Sequence, residues 1–284
     1  MTSTSKNYPD PTVGKILPEQ NFTVTDESLD DYFEGLKLDR SAFDKGDTPL
    51  PSMTANAADN YFELSRFDQD KGHLWMRQEW QFNAPLQRET SYVTRATIKD
   101  IYERRDRTVV NTAVSVLDQQ GEVVITSNHH QSFLLTPPVN QVKFRDPTKK
   151  EGVRKFVVPT GDRIEPFERT ISLEMCGKFF HGNTSYHTDL NASQELGFQD
   201  VVVGGRMTMS YMGHLLDSYF GPSWWTSGYM DVKFTNPTWP EDHITVNGIA
   251  TGPLEDDPSR EGVFGWIEKS DGTIVLITNA SIAR

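Results

Sequence analysis

Hydrophobic and polar residues alternate along two long stretches of the chain, at positions 74–135 and 229–283. Alternation with a period of two is typical of strands that bury one face. In the first stretch WQF, SYVTRATIKDIYE, TVVNTAVSVLD and EVVITSNHHQSFLL fit this pattern, with a turn at Gln120-Gly121. The second stretch contains YMDVKFTNP, HITVNGIATG, VFGWIEK and TIVLITNASIA, and its Asp271-Gly272 pair is typical of a hairpin turn. The pattern predicts two antiparallel meanders.

Apolar residues at helical spacing occur ahead of each predicted meander. A helix is predicted after Thr25, which can cap it, and extends to Leu36. Two more helical stretches are predicted at about 53–67 and about 206–220. The first 20 residues are predicted to form an extended lead-in, because they have little periodicity and contain Pro9, Pro11 and Pro18. A short acidic lead-in is expected at the start of the second half.

The two halves of the sequence repeat. The helix around Met53 matches the helix around Met207, 154 residues later, and a Phe-x-x-Pro motif at Phe82 matches one at Phe234, 152 residues later. A repeat this long is a duplicated domain rather than a solenoid unit. We therefore expect an α+β fold of two tandem units, each a helix packed on an antiparallel sheet, joined edge to edge as a pseudo-dimer.

The domain boundary is predicted in a basic stretch without hydrophobic periodicity. Residues 137–158 have the character of an interdomain linker. The predicted organisation is thus a first domain over 1–136, the linker, and a second domain over 159–284.

Charge and cysteine content narrow the classes of partner. The 284 residues include 40 acidic and 28 basic side chains, a net charge of −12, which disfavours nucleic acid. Cys176 is the one cysteine, so neither an intrachain disulfide nor a multi-thiolate zinc site is possible. No apolar run of membrane-spanning length and no targeting pattern is found, so we expect a cytoplasmic protein without a membrane partner.

The residues best suited to chemistry lie ahead of the last predicted helix, in the polar loop HGNTSYHTD at 181–189. His187 is the best candidate for proton transfer, because an imidazole titrates near neutral pH. The alternative is a histidine that only hydrogen-bonds the loop. Gly204-Gly205 can bring bare backbone N–H groups at a helix start to an oxygen that gains charge. The first half has no histidine in the corresponding stretch, 30–35.

Cofactor and metal signatures are missing from the sequence. There is neither a P-loop nor a GxGxxG motif, so nucleotide-dependent chemistry is not expected. His129, His130 and His214 lack partners at the spacing of metal ligands, so no metal site is expected. We predict an enzyme that works without a cofactor.

From this loop onward the sequence resembles the MaoC-like, or (R)-specific enoyl-CoA hydratase, family of hot-dog proteins. His187-x-Asp189, Gly197-Phe198, Val201–Val203 and Gly205 fall in register with the family's loop and central helix. The segment DVKFTNPTWPEDHITVNGIA is similar to the strand pair that follows. The resemblance implies a double hot dog, in which each domain wraps an antiparallel sheet around a central helix and the first domain is degenerate.

The resemblance also implies roles for individual residues. His187 corresponds to the family's catalytic imidazole, Gly205 to the backbone amide that polarises a thioester oxygen, and Asp189 to a residue supporting the loop, while Gly204 and Arg206 would contact the substrate. The family's catalytic aspartate, five residues before the histidine, is replaced here by Gly182. The candidates for its replacement are Asn183, which can orient a water, His181, and Asp59 or Glu63 reaching across from the first half.

The predicted function is therefore that of a hydro-lyase, which adds water to, or eliminates it from, an acyl thioester or a related β-hydroxy carbonyl compound. The alternatives are a thioesterase, a dehydratase or isomerase that does not use coenzyme A, and a non-catalytic acyl-binding protein. The expected partner is a small acyl molecule, with Arg206, Lys149 and Lys150 as candidates for contacting coenzyme A. We expect a homo-oligomer, because the edges and aromatic surface of such a fold favour further pairing.

Overall fold

The computed structural model describes residues 9–41, 43, 49–67, 71–135 and 156–284. The first half contains β1 (Ile16–Thr23), α1 (Asp26–Leu36), a 3₁₀ helix (Ser52–Ala58), α2 (Phe62–Ser65), β2 (Lys71–Phe82), β3 (Ser91–Arg104), β4 (Arg107–Leu117) and β5 (Val123–Leu134). The second half contains β6 (Asp162–Thr170), α3 (Leu173–Phe179), α4 (Leu190–Glu195), α5 (Gly205–Phe220), α6 (Ser223–Ser227), β7 (Tyr229–Phe234), β8 (His243–Pro253), β9 (Arg260–Lys269) and β10 (Ile274–Ala283). The predicted linker, with Lys149 and Lys150, lies outside the described residues except at positions 156–158.

The strands form a single sheet whose order reflects the sequence repeat. The order is β1-β3-β4-β5-β2-β7-β10-β9-β8-β6, and each neighbouring pair is antiparallel. Reading it from either end gives equivalent strands of the two halves. The two predicted meanders and their edge-to-edge union are therefore confirmed.

The two halves meet between β2 and β7, and a cluster of charged side chains crosses this seam. Arg77 Nε donates to Asp231 Oδ1 at 2.7 Å, and Arg77 Nη2 donates to Asp231 Oδ2 at 3.0 Å. Glu79 accepts from Arg77 at 3.1 Å and from the Tyr229 hydroxyl at 3.0 Å. Two parallel bonds between guanidinium and carboxylate fix both distance and orientation, so this pair also fixes the register of the halves.

The outermost strands correct two predictions. The expected lead-in over the first 20 residues ends in β1, and the expected acidic lead-in of the second half contains β6. Both are edge strands, and both shift register around a proline, Pro18 and Pro166 respectively. Proline interrupts the alternation and is tolerated in sheets at edges and bulges, which is why the sequence pattern there is weak.

The helices pack on the inner face of the sheet, with α5 at the centre. Thr25 caps α1 as predicted, since its Oγ1 accepts from Ser28 N at 3.1 Å. The predicted helix at 206–220 is confirmed as α5. The predicted helix at 53–67 is wrong as one element, because the chain leaves helical geometry at Asp59, whose carboxylate is bonded to side chains of the sheet.

The 3₁₀ helix of the first half packs directly against α5. Asn56 Nδ2 donates to Ser210 Oγ at 3.4 Å, and these two residues are equivalent in the repeat. A Cβ on Gly213 would lie 2.3 Å from Met53 Cγ, so this glycine permits the close approach. The start of each helix therefore lies beside the end of the other.

Candidate active site

The start of α5 presents backbone amides without a capping side chain. Gly204 precedes the helix and its N-cap position makes no side-chain hydrogen bond. A Cβ on Gly204 would lie 2.3 Å from Phe180 Cζ, and one on Gly205 would lie 3.0 Å from Trp75 Cε3. The two glycines thus allow two aromatic rings to reach the helix start, where the N–H groups carry partial positive charge. Gly205 and Arg206 line a large cavity, together with His187.

His187 is held by a hydrogen bond that fixes its proton. Its Nδ1 lies 2.7 Å from the carbonyl oxygen of Val202, in the segment that leads to Gly204. Because a carbonyl oxygen only accepts, Nδ1 donates and Nε2 retains its lone pair. The ring stacks on Phe180 with centroids 4.9 Å apart and contacts Tyr186 at 3.8 Å.

The protonation of His187 follows from its surroundings. Burial lowers its pKa to about 4, against the opposing effect of the Val202 bond, and His73 and Arg206 lower it further. The imidazole is therefore neutral near pH 7 and can accept a proton at Nε2.

Position 182, where the family resemblance implies an aspartate, carries glycine. Gly182 adopts a left-handed φ of +69° and donates from its N–H to the carbonyl of Gly177 at 2.8 Å. Residues with a side chain rarely adopt this φ, so the local backbone itself favours glycine. Position 182 therefore contributes only backbone to the site.

The other loop residues divide into three environments. Asn183 is exposed, and its amide Nδ2 donates to the Phe180 carbonyl at 2.9 Å. Asp189 caps α4 by accepting from Ala192 N at 2.8 Å, which ties down the end of the loop. His181 is 52% exposed and pairs with Asp31 of α1. His181 and Asn183 line the cavity, whereas Asp189 lies behind it.

A buried network from the first half lies beside Arg206. Arg206 Nη2 donates to the backbone carbonyl of Asp59 at 3.0 Å. The Asp59 carboxylate contacts His129 Nδ1 at 3.1 Å and accepts from Gln78 Nε2 at 3.0 Å. Of the two acidic residues predicted to reach across the interface, Asp59 lies there, whereas Glu63 is 72% exposed and pairs with Arg66.

The network keeps Asp59 ionised. Burial alone would raise the pKa of Asp59, but His129, Arg206 and Gln78 together outweigh burial and lower the pKa. His129 was not predicted as a site residue. It is 70 positions from Asp59 in sequence, so no spacing could indicate the pair.

The cavity is lined by polar and apolar side chains, and the apolar ones include Phe22, Tyr32, Met53, Phe179 and Phe180. Arginines at the β3–β4 turn, Arg104, Arg105 and Arg107, also line it. The sequence analysis missed this turn, whose run of basic residues is visible in ERRDR.

Two further features of the described chain concern partners. In the residues that the structure describes, no three His, Cys, Asp or Glu side chains are grouped so as to hold a metal ion. None of the helices in the same ranges is long and apolar enough to cross a membrane.

Comparison with known structures identifies the fold. Neither the known family models nor the curated proteins give a match. A structure described as a MaoC-like dehydratase is similar with a TM-score of 0.72 and 14% identity, over 95% of this chain and 98% of that one. A MaoC-like dehydratase from Phytophthora capsici gives a TM-score of 0.69 and 15% identity, over 94% and 95% of the two chains.

A conserved hypothetical protein from Mycobacterium tuberculosis, described as having a double hotdog fold, is also similar. Its TM-score is 0.63 with 13% identity, and 96% of each chain is covered. These similarities extend over nearly the whole chain, and the sheet order shows the same duplication. The chain therefore has the double hot-dog fold found in MaoC-like dehydratases, as the sequence analysis predicted.

Proposed function

We propose that this protein is a hydro-lyase of the MaoC-like type, which adds water to a trans-2-enoyl thioester or removes it from the 3-hydroxyacyl product. The observation that carries the proposal is the locked imidazole of His187 beside the glycine start of α5, with both lining one cavity. The fold similarity to MaoC-like dehydratases supports the same chemistry.

In the direction of hydration, His187 Nε2 takes a proton from a water molecule while the water oxygen bonds to Cβ of the substrate. Electron density moves through Cα to the thioester oxygen. The backbone N–H of Gly205 stabilises this oxygen, because the amide is fixed and lies at the positive end of α5. Proton transfer by a positioned side chain contributes about 10²–10⁴ in rate.

The same proposal assigns positions to the remaining loop residues. Asp189 supports the loop through its cap on α4. Arg206, which lines the cavity, would contact the substrate together with Gly204 at the helix start. Asn183 and His181 lie at the cavity wall near solvent and would contact polar parts of the substrate. The arginine turn at 104–107 would contact an anionic carrier such as coenzyme A.

The first test is incubation with trans-2-enoyl-CoA esters of increasing length, following the loss of enoyl absorbance beside a free-thiol assay. We expect absorbance to fall without release of thiol, and this activity to be lost in His187→Ala. Absence of both signals over the whole series would contradict the proposal. Retained binding of acyl ligands by an inactive wild type would instead indicate an acyl-binding protein.

Thioester hydrolysis is the second candidate, and the glycine at position 182 favours it. Because no carboxylate of the loop is bonded to His187, this imidazole can activate water towards the carbonyl carbon as well as towards Cβ. Release of free thiol in the same assay, dependent on His187, would assign this activity. Turnover only of substrates without coenzyme A would indicate a specialised dehydratase or isomerase.

Assembly and location stay predictions. We expect a cytoplasmic homo-oligomer, and size-exclusion chromatography with light scattering tests the assembly. A strict monomer at micromolar concentration would contradict it.

A further inference from the structure

Besides His187 and His181, two imidazoles from the first half line the cavity, those of His73 and His129. His129 lies on β5 with its side chain 14% exposed, and the carboxylate bonded to its Nδ1, that of Asp59, is 2% exposed. Gln131, on the same face of the strand, places Oε1 at 3.1 Å from His129 Nε2. His129 and Gln131 both line the cavity, whereas Asp59 lies behind them.

His187 and His129 each stack on an aromatic ring that contacts one of the two glycines at the start of α5. His187 stacks on Phe180, which is the ring closest to Gly204. His129 stacks on Trp75 with centroids 4.5 Å apart, and Trp75 is the ring closest to Gly205. His129 is therefore one ring away from the amide that would bind the thioester oxygen.

The hydrogen bonds of His187 and His129 give these two imidazoles opposite roles. Among the residues that the structure describes, His187 meets a hydrogen-bond acceptor at Nδ1 and none at Nε2, so its Nε2 can take a proton. His129 faces an oxygen acceptor at each nitrogen, the Asp59 carboxylate and the Gln131 carbonyl, so it can carry a proton on both. His187 is thus arranged as a base and His129 as an acid.

We propose that His129 is the second proton-transfer group of this site, held in place by Asp59 as a positioning residue and supplied by the half that has no catalytic loop of its own. The inference rests on the proposed hydro-lyase function. With His129 as the donor, the substrate Cα receives a proton even though the loop carries glycine, and no acidic side chain, at position 182.

The complete step is balanced in protons. Water gives one proton to His187 Nε2 and its oxygen bonds to Cβ, which leaves an enolate with its charge at the thioester oxygen. Cα then takes the Nε2 proton of His129 as the carbonyl re-forms. Afterwards His187 loses its proton to solvent and His129 regains one, so the net change is the addition of one water.

The test is hydration of trans-2-butenoyl-CoA in D₂O, with the rate and the configuration of deuterium at Cα measured by NMR. The wild type is expected to give a single configuration. In His129→Gln, where the amide can still donate to Asp59, we expect kcat to fall by about 10²–10⁴ with little change in KM, and Cα to receive deuterium from solvent on both faces. Asp59→Asn is also expected to lower kcat, but by a smaller factor than His129→Gln does.

The matched control is His130→Gln. His130 is the next residue on β5, is bonded to Tyr102 and Glu79, and does not line the cavity. Its variant should keep the wild-type rate and configuration. Thermal unfolding of each variant monitors the fold.

A folded His129→Gln protein that keeps a single configuration, whatever its stability, would overturn the inference and leave the proposed function intact. If that variant does not fold, the same outcome in Asp59→Asn, an unchanged kcat and a single configuration, decides against it. A wild-type protein that hydrates no enoyl thioester would overturn both proposals together.

Discussion

The starts of the two central helices are equivalent in the repeat but differ in what their backbone amides can bind. At the start of α5, Gly204 and Gly205 leave the amides without a side-chain cap. At the start of the 3₁₀ helix, the equivalent residues are Leu50 and Pro51, and proline has no N–H to offer. The next amide, of Ser52, donates to the carboxylate oxygens of Asp217 at 3.0 and 3.3 Å.

Under the proposed function, this difference explains why only one of the two equivalent helix starts would bind a substrate. A proline and an internal carboxylate satisfy the first helix start, so no oxygen of a substrate is needed there. Because α5 supplies Asp217 from its last turn, the helix that would bind the substrate also satisfies the other helix start. In the structure the first half places His129, bonded to Asp59, in the lining of the same cavity as Gly205.

The largest expected effect concerns His187, because the corresponding stretch of the first half, 30–35, has no histidine. We expect His187→Ala to lower kcat on the best enoyl thioester by about 10²–10⁴, because the base is removed, with little change in KM. His243→Ala is the control, because this histidine of β8 pairs with Glu168 and does not line the cavity. Less than a threefold change is expected in this variant. Equal losses in both variants, measured by initial rates, would contradict the assignment.

The next largest effect is expected when Gly205 of α5 is replaced by proline, the residue at the equivalent position, 51, of the first half. We expect Gly205→Pro to lower kcat by about 10²–10³ relative to Gly205→Ala, because proline removes the N–H while the first turn of a helix tolerates it. Alanine is the control, since it adds a Cβ 3.0 Å from Trp75 but keeps the N–H. Similar rates for the two variants would show that this amide does not hold the oxygen.

A smaller effect is expected on the free energy of unfolding, through Asp217 at the start of the 3₁₀ helix. Burial raises the pKa of Asp217 to about 7, against the opposing bonds from Ser52. An unfolded aspartate ionises near pH 3.9, so between about pH 4 and 7 the folded state binds more protons and wild-type stability falls as pH rises.

Asp217→Asn removes this titration while its side-chain oxygen can still accept from Ser52. We therefore expect the free energy of unfolding of the variant, relative to wild type, to rise by about 3 kcal/mol from pH 4.5 to pH 8. Urea unfolding at several pH values measures it, and kcat should be unchanged. Parallel pH curves for the two proteins would contradict the raised pKa.

The smallest effect tests the contact that joins the halves. We expect Arg77→Lys to destabilise the fold by about 1 kcal/mol, because lysine cannot make the paired bonds to Asp231. Arg95→Lys, at an exposed pair with Glu19 near the sheet edge, should cost less than about 0.5 kcal/mol. Equal urea midpoints for both variants would show that the Arg77–Asp231 pair stabilises the fold no more than the exposed Arg95–Glu19 pair does.

Most of the fold follows from local sequence pattern. The eight strands of the meanders are rich in β-branched and aromatic residues and are bounded by turn signals, and α1 and α5 show helical spacing with recognisable starts. The pattern fails where another requirement competes with it: at the prolines in β1 and β6, and at Asp59, where a buried carboxylate ends the helix early. The repeat could be read from the sequence because both halves keep the same motifs.

The site was predictable only where it is continuous in sequence. His187, Asp189 and the glycine pair lie within 19 residues of one another, so a motif can specify them. His129 meets Asp59 through the pairing of strands and the packing of the 3₁₀ helix, and the arginine turn reaches the cavity through the length of β3 and β4. These contacts depend on the assembled sheet, and no local pattern contains them.

The most direct test of the difference between the two helix starts is a crystal structure of His187→Ala with trans-2-butenoyl-CoA bound. We predict one ligand per chain, with its thioester oxygen about 3 Å from the N–H of Gly205 and no ligand at Ser52. A thioester oxygen bound away from Gly205, or acyl groups at both helix starts, would contradict the central claim that α5 alone carries the active site.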